Sequence, residues 1–305
     1  MYRVVNTKEA KMKKILWAYD GSKEAEEALK VTRYFSNLYG SDLYGLYVNH
    51  AYYPITPNFV YYAGYIEEAS QKKKLLIEKS FKKIKDELLK KGIKFSGKVI
   101  KGDIDSEIKN YTKKINAGLI VVGNTGKDFI SRLILGSNTL KILRNSEIPV
   151  LTVPPVKIKG KYKIKKILLP LDISEPNYDS LEYTLDLVEK TGSHLTVLYI
   201  LSLPNNSNDL PSRVMDEIVN GSHNELNKLI VSSKEKNEKI RIGKKLIIGL
   251  SPSTRILNYA KRNDFDLIVM NSNNKGNLAR FFLGSVSEDV IRGSVCPVLT
   301  IRKRG

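Results

Sequence analysis

Hydrophobic positions along the chain fall into two alternating kinds of segment. Short runs without polar alternation, such as Leu119-Ile120-Val121-Val122 and Leu267-Ile268-Val269-Met270, have the pattern of strands covered on both faces. Between them lie longer segments with apolar residues three and four apart, such as Leu75, Leu76, Phe81, Ile84, Leu88 and Leu89 among lysines, the spacing of an amphipathic helix. The pattern predicts strands near 13–19, 43–49, 95–101, 118–122 and 149–153, with helices near 22–38, 65–91, 105–115 and 132–145. In the second half it predicts strands near 164–171, 194–200, 243–248, 265–270 and 296–302. Five strands alternating with four helices make a doubly wound α/β domain with a parallel sheet. An aromatic stretch from Tyr52 to Tyr65 with Pro54 and Pro57 reads as a long connection, a lid or a packing surface.

The two halves are copies. Lys14-Ile15-Leu16-Trp17-Ala18-Tyr19-Asp20 recurs as Lys166-Ile167-Leu168-Leu169-Pro170-Leu171-Asp172. Further on, Leu135-Gly136-Ser137 matches Leu283-Gly284-Ser285, and Pro149-Val150-Leu151-Thr152 matches Pro297-Val298-Leu299-Thr300. A period near half of 305 residues is far too long for a solenoid and means two tandem domains. Their expected bounds are 1–156 and 162–305, joined through Pro154-Pro155-Val156-Lys157-Ile158-Lys159-Gly160-Lys161.

The formal net charge of +19 raises the question of nucleic acid, but it divides as +11 over residues 1–150 and +8 over 151–305, so neither half is a basic tail. The lysine-rich run 72–91 reads as a solvated helix face, and no nucleic-acid partner is expected. The positive field still favours phosphorylated ligands. Apolar runs are too short to span a membrane, and the single Cys296, at the start of the last strand, reads as an inert buried thiol. The expected protein is soluble and cytoplasmic, without a membrane partner.

Ligands of a doubly wound sheet bind beyond the carboxyl ends of the strands where the winding reverses. There the chain places Asp20-Gly21-Ser22 after the first strand and Gly123-Asn124-Thr125-Gly126 after the fourth, followed by Gly136-Ser137. Glycines let backbone N–H groups approach an anion, and a helix N-terminus favours phosphate. His50, His194 and His223 are too scattered for a metal motif, and no metal site is expected. Asp103 and Asp105 are better explained by helix capping than by acid–base chemistry. No Gly-Lys-Ser/Thr phosphate loop or general base accompanies the glycines, so no catalytic residue is assigned.

Gly123-x2-Gly126-x9-Gly136-Ser137, with the opening Ile15-Leu16-Trp17-Ala18-Tyr19-Asp20-Gly21-Ser22 and Gly102-Asp103, resembles the nucleotide-binding signature of the universal stress protein family. The resemblance covers nearly the whole chain as two tandem domains. It implies sheets of strand order 3-2-1-4-5 and ATP as ligand, with Mg2+ carried by its phosphates. It places Asp20 by the adenosine, Val48 by the base, and Gly123, Gly126, Gly136 and Ser137 by the phosphates. It also implies pairing of the two domains through their last strands and a possible homodimer, with protein partners unnamed. The implied activity is nucleotide-dependent stress signalling with slow or no hydrolysis; a nucleotide-free interaction module and a weak ATPase are the alternatives. In the second copy Asn271 and Asn274 replace Gly123 and Gly126, and Ile173 replaces Gly21, so that site reads as degenerate.

Overall fold

The computed structural model describes residues 12–50, 59–124, 135–158, 160–173, 178–202, 211–236, 238–272 and 283–302. The chain forms two compact units that meet in sequence at Tyr162 and Lys163. The first contains β1 (Lys14–Ala18), α1 (Lys23–Tyr39), β2 (Asp42–Asn49), α2 (Phe59–Leu89), β3 (Phe95–Lys101), α3 (Ile104–Ile115), β4 (Leu119–Gly123), α4 (Ser137–Asn145) and β5 (Val150–Val153). The second contains β6 (Lys166–Pro170), α5 (Tyr178–Thr191), β7 (His194–Leu201), α6 (Ser212–Lys236), β8 (Arg241–Ile248), α7 (Pro252–Arg262), β9 (Leu267–Ser272), α8 (Ser285–Gly293) and β10 (Val298–Arg302).

All pairings within each unit are parallel. The first unit runs β3-β2-β1-β4-β5, with Leu16 opposite Tyr44 on one side and Ile120 on the other. The second runs β8-β7-β6-β9-β10 in the same relation. In both, the winding reverses between the first and fourth strands of the unit. The central strands are buried on both faces: Ile15, Leu16, Trp17, Leu119 and Val121 are inaccessible, as are Ile167, Leu168, Leu169, Leu267 and Val269. This accounts for their unbroken apolar runs.

Helix ends follow local chemistry. Ser22 caps α1, its Oγ accepting from Ala25 N at 3.1 Å, and Gly40 ends the helix in the left-handed region at φ 60°. Asp103 caps α3, accepting from Ser106 N at 3.0 Å and Oγ at 2.9 Å, so the capping explanation of this carboxylate holds. Asp105 lies in the first turn and accepts from Asn145 Nδ2 at 2.6 Å. On one face of the sheet, Trp17, Tyr19, Phe81 and Phe95 form an aromatic cluster with centroids 4.6–6.2 Å apart. Gly45 and Gly97 make room for it, since a Cβ at Gly97 would lie 2.5 Å from Phe81.

Two expectations change. The fourth helix does not include Leu135 and Gly136; it starts at Ser137, because Gly136 sits at φ −58°, ψ 137° and serves as N-cap. The aromatic stretch is not a connection throughout, since α2 begins at Phe59, two residues after Pro57, and runs for 31 residues. Residues 51–58 lie outside the described residues.

Candidate functional site

The carboxyl ends of β1 and β4 are neighbours in the first sheet, and the turns that leave them build the candidate site. After β1, Asp20 is exposed and folds back on the helix start, its Oδ1 accepting from Ser22 N at 2.9 Å and from Ser22 Oγ at 2.5 Å. Ser22 thus joins the carboxylate to the cap of α1. The turn needs a left-handed residue, which Gly21 supplies at φ 82°. Beside it, Tyr19 is buried, and burial together with the nearby Glu26 and Asp20 pushes its hydroxyl up to about 12. Tyr19 therefore stays neutral at physiological pH. At the end of β2, Val48 is 9% exposed, and Asn49 donates through Nδ2 to Ser70 Oγ at 2.7 Å. His50 is exposed, with Nδ1 at 3.2 Å from the Gly102 carbonyl. The Asn49–Ser70 contact holds α2 over the strand ends, where Ile77 Cδ1 lies 3.4 Å from the position of a Cβ on Gly21.

After β4, Gly123 pairs with Val153, and its carbonyl accepts from Thr139 Oγ1 at 2.9 Å. The missing side chain of Gly123 faces the start of α1: a Cβ there would lie 3.4 Å from Ala25 N and 3.6 Å from Glu24 Cβ. A Cβ at this position would make ordinary van der Waals contact with α1, as the Asn271 at the matching position of the second unit requires. Gly136 N donates to Asn124 O at 3.1 Å, and its carbonyl accepts from Leu140 N at 2.9 Å as the first bond of α4. Gly136 has no capping side chain, and Ser137 and Asn138 are exposed. The first turn of α4 consequently presents N–H groups that no side chain of the helix satisfies, unlike α1 and α3. Gly126 lies outside the described residues. Of the six residues singled out in the sequence, five are placed, and all five sit at the carboxyl ends of strands or at the helix start beyond them.

Four contributors were not singled out: Thr139, which holds the end of β4 against α4, and Ser70, Ile77 and Glu26 around the β1 and β2 ends. A signal for the first was present, because Ser287 repeats it, donating to Asn271 O at 2.9 Å in the second unit. The second unit copies the frame in other ways. Leu171 N donates to Leu198 O at 2.9 Å as Tyr19 N does to Leu46 O, and Gly284 caps α8 at φ −61°, ψ 146° without a side-chain bond. Asp172 is exposed at the position of Asp20. Asn274 lies outside the described residues.

Two cavities lined by described residues lie away from these strand ends. One of about 210 Å³ lies between α3 and α4, and one of about 730 Å³ lies by Ser193 and Arg241. No cluster of three metal-ligating side chains occurs among the described residues, and none of the described helices is long and apolar enough to cross a membrane. Cys296 is 6% exposed, and burial raises its thiol to about 11, so it is a packing residue.

A sequence model of the universal stress protein family matches residues 11–154 and again 163–302. The chain belongs to the universal stress protein family. The universal stress protein MJ0531 of Methanocaldococcus jannaschii is 30% identical over 147 residues, covering 47% of this chain and 85% of that protein. A universal stress protein of Mycolicibacterium smegmatis is 22% identical over 293 residues, 95% of this chain and 97% of that one. The tandem arrangement is thus shared along the full length. Among solved structures, a universal stress protein from Archaeoglobus fulgidus superposes with a TM-score of 0.66 at 22% identity, covering 95% of this chain and 96% of that chain. A putative universal stress protein from Pseudomonas aeruginosa UCBPP-PA14 gives the same TM-score at 16% identity, over 96% of this chain and 94% of that chain. At these identities the likeness establishes the fold.

Proposed function

We propose that the first unit binds ATP at the carboxyl ends of β1, β2 and β4, and that occupancy of this site adjusts the chain's interactions under stress, with slow or no hydrolysis. The observation that carries the reading is the start of α4. Its first turn carries Ser137 N–H, Ser137 Oγ and Asn138 N–H, exposed and uncapped, next to the β4 end. A polyphosphate is the ligand such a helix start favours, through hydrogen bonds and the helix dipole together. The net charge of +19 adds long-range attraction. Asp20, held by Ser22, offers a fixed acceptor for ribose hydroxyls, and Val48 an apolar edge for a base.

The residues present suit this ligand. Thr139 holds the β4 end, and Gly136 places α4 without a side chain at its cap. Bound ATP supplies negative phosphates with Mg2+ riding on them. The chain's own residues orient and hold it: Ser137 and Asn138 donate, Asp20 accepts, and α2 covers the site through Ser70 and Ile77.

The second unit is proposed not to bind. Since the side chain at position 123 faces α1, Asn271 alone is a weak obstacle to phosphate; the discrimination falls on Gly126 and Asn274 and on Ile173 at the place of Gly21. Freshly purified protein, denatured and analysed by mass spectrometry, should release adenine nucleotide. Calorimetry with ATP, ADP, AMP and cyclic dinucleotides should give ATP a micromolar Kd, on the order of −8 kcal/mol. Absence of binding to every adenine nucleotide at millimolar concentration would overturn the reading in favour of a nucleotide-free interaction module.

A further inference from the structure

The helix α2 is 31 residues long and buries Ile77, Phe81 and Leu88 against the first sheet. At 100° per residue, the opposite side of the helix carries Leu75 and Leu76 with Lys72 one turn before and Lys79, Lys82 and Lys83 one to two turns after. Leu75 is 64% exposed and Leu76 60%, and all four lysines are exposed. The ion pairs of this helix use other groups: Lys74 with Glu78, Glu67 with Lys101, and Glu87 with Arg33 and Lys91. None of the four lysines is paired to a carboxylate among the described residues. Glu68 and Asp86 lie on the same face, one turn before Lys72 and one turn after Lys82 and Lys83, and among the described residues neither forms an ion pair with these lysines. A leucine pair ringed by four unpaired ammonium groups therefore faces away from the core.

We propose that this face of α2 docks the protein on an anionic phospholipid surface, with the lysines on lipid phosphates and Leu75 and Leu76 entering the headgroup layer. Three occupants have the right charge, and the side-chain pattern separates them. A protein helix or groove reads apolar anchors at i, i+3 or i+4 and i+7. Here the positions continuing the stripe from Leu75 and Leu76 are Lys72, Lys79, Lys82 and Lys83, so no stripe exists. A nucleic acid offers phosphates to the lysines but leaves two exposed leucines in water. A bilayer surface satisfies both, since basic residues gather at anionic headgroups while apolar side chains insert between them.

The second unit provides an internal contrast. Its equivalent helix, α6, exposes Val214, Ile218 and Val231, but Asp216 and Glu217 lie among them, Arg213 is paired with Glu217, and Lys228 with Glu225. Its face carries no comparable set of unpaired cations. The lipid contact therefore belongs to the first unit, and it stands independently of nucleotide binding.

The test is co-sedimentation of the full chain with vesicles of phosphatidylcholine alone and with one third phosphatidylglycerol, at about 0.1 M and about 0.5 M salt. The expected result is binding to the anionic vesicles only, weakened at least tenfold by the higher salt. Changing Lys72, Lys79, Lys82 and Lys83 together to Gln should reduce it tenfold or more. Leu75→Ser with Leu76→Ser should reduce it severalfold while thermal melting and ATP affinity stay at wild-type values, since neither leucine is buried. No vesicle binding would overturn the proposal, as would binding indifferent to the leucine pair. Equal dependence on both sets of residues in binding an RNA oligomer would also overturn it.

Discussion

Ser137→Pro isolates the proposed phosphate contact from the stability of the fold. Ser137 is the first residue of α4, and its N–H enters no hydrogen bond among the described residues. Proline is favoured at this helix position, where the missing N–H is one of the unsatisfied donors. The residue before a proline must be extended, and Gly136 already stands at φ −58°, ψ 137°. The substitution therefore costs the fold little, and the melting temperature should move by no more than about 2 °C. It removes two donors, Ser137 N–H and Oγ, from the phosphates. A hydrogen bond to a charged group contributes about 1.5–3 kcal/mol; allowing for the exposure of Ser137, the pair should cost about that much together, roughly 10- to 150-fold in Kd. Calorimetry with ATP reads the loss directly. Ser285→Pro is the control, because Gly284 stands at φ −61°, ψ 146° before the start of α8 and the same change there is equally tolerated. It should leave ATP affinity unchanged. Wild-type affinity in folded Ser137→Pro, or loss of binding in Ser285→Pro alone, would refute the reasoning.

Ser22→Ala removes the cap of α1 and the hydroxyl that holds Asp20 at 2.5 Å; it should cost about 1 kcal/mol of stability in denaturant melts and weaken ATP binding in the same protein. Gly97→Ala places a Cβ 2.5 Å from the Phe81 ring and should destabilise by about 1–3 kcal/mol in denaturant melts. The buried Cys296 titrates near 11 in the folded protein and near 9 when unfolded, so its stabilising contribution is complete below pH 9 and is lost as pH rises to about 11. Cys296→Ser should flatten that part of the stability-against-pH curve, and a thiol reagent at pH 8 should label the wild-type chain only in denaturant.

Much of the architecture was legible because the signals were local. Unbroken apolar runs marked doubly covered strands, and the repeated Leu-Gly-Ser and Pro-Val-Leu-Thr segments marked a duplicated domain. Ser22 and Asp103 announced helix starts by residue type alone. What escaped depends on contacts distant in sequence. That α2 reaches back over the strand ends follows from Asn49 meeting Ser70 and from Gly21 meeting Ile77, neither of which has a periodic signature. The early start of α2 was hidden by Pro54 and Pro57, which read as connection, although a proline before a helix is compatible with its first turn. The direction a side chain at Gly123 would take, toward Ala25 at the start of α1, is likewise set by a contact distant in sequence.

The central claim is one ATP site per chain, carried by the first unit. Equilibrium dialysis of the full chain against ATP and Mg2+, at concentrations well above the measured Kd, tests it most directly. The account predicts saturation at one equivalent per chain, abolished when Ser137→Pro is combined with Asp20→Ala. Two equivalents, or one that survives that double change and disappears with Ser285→Pro, would contradict it.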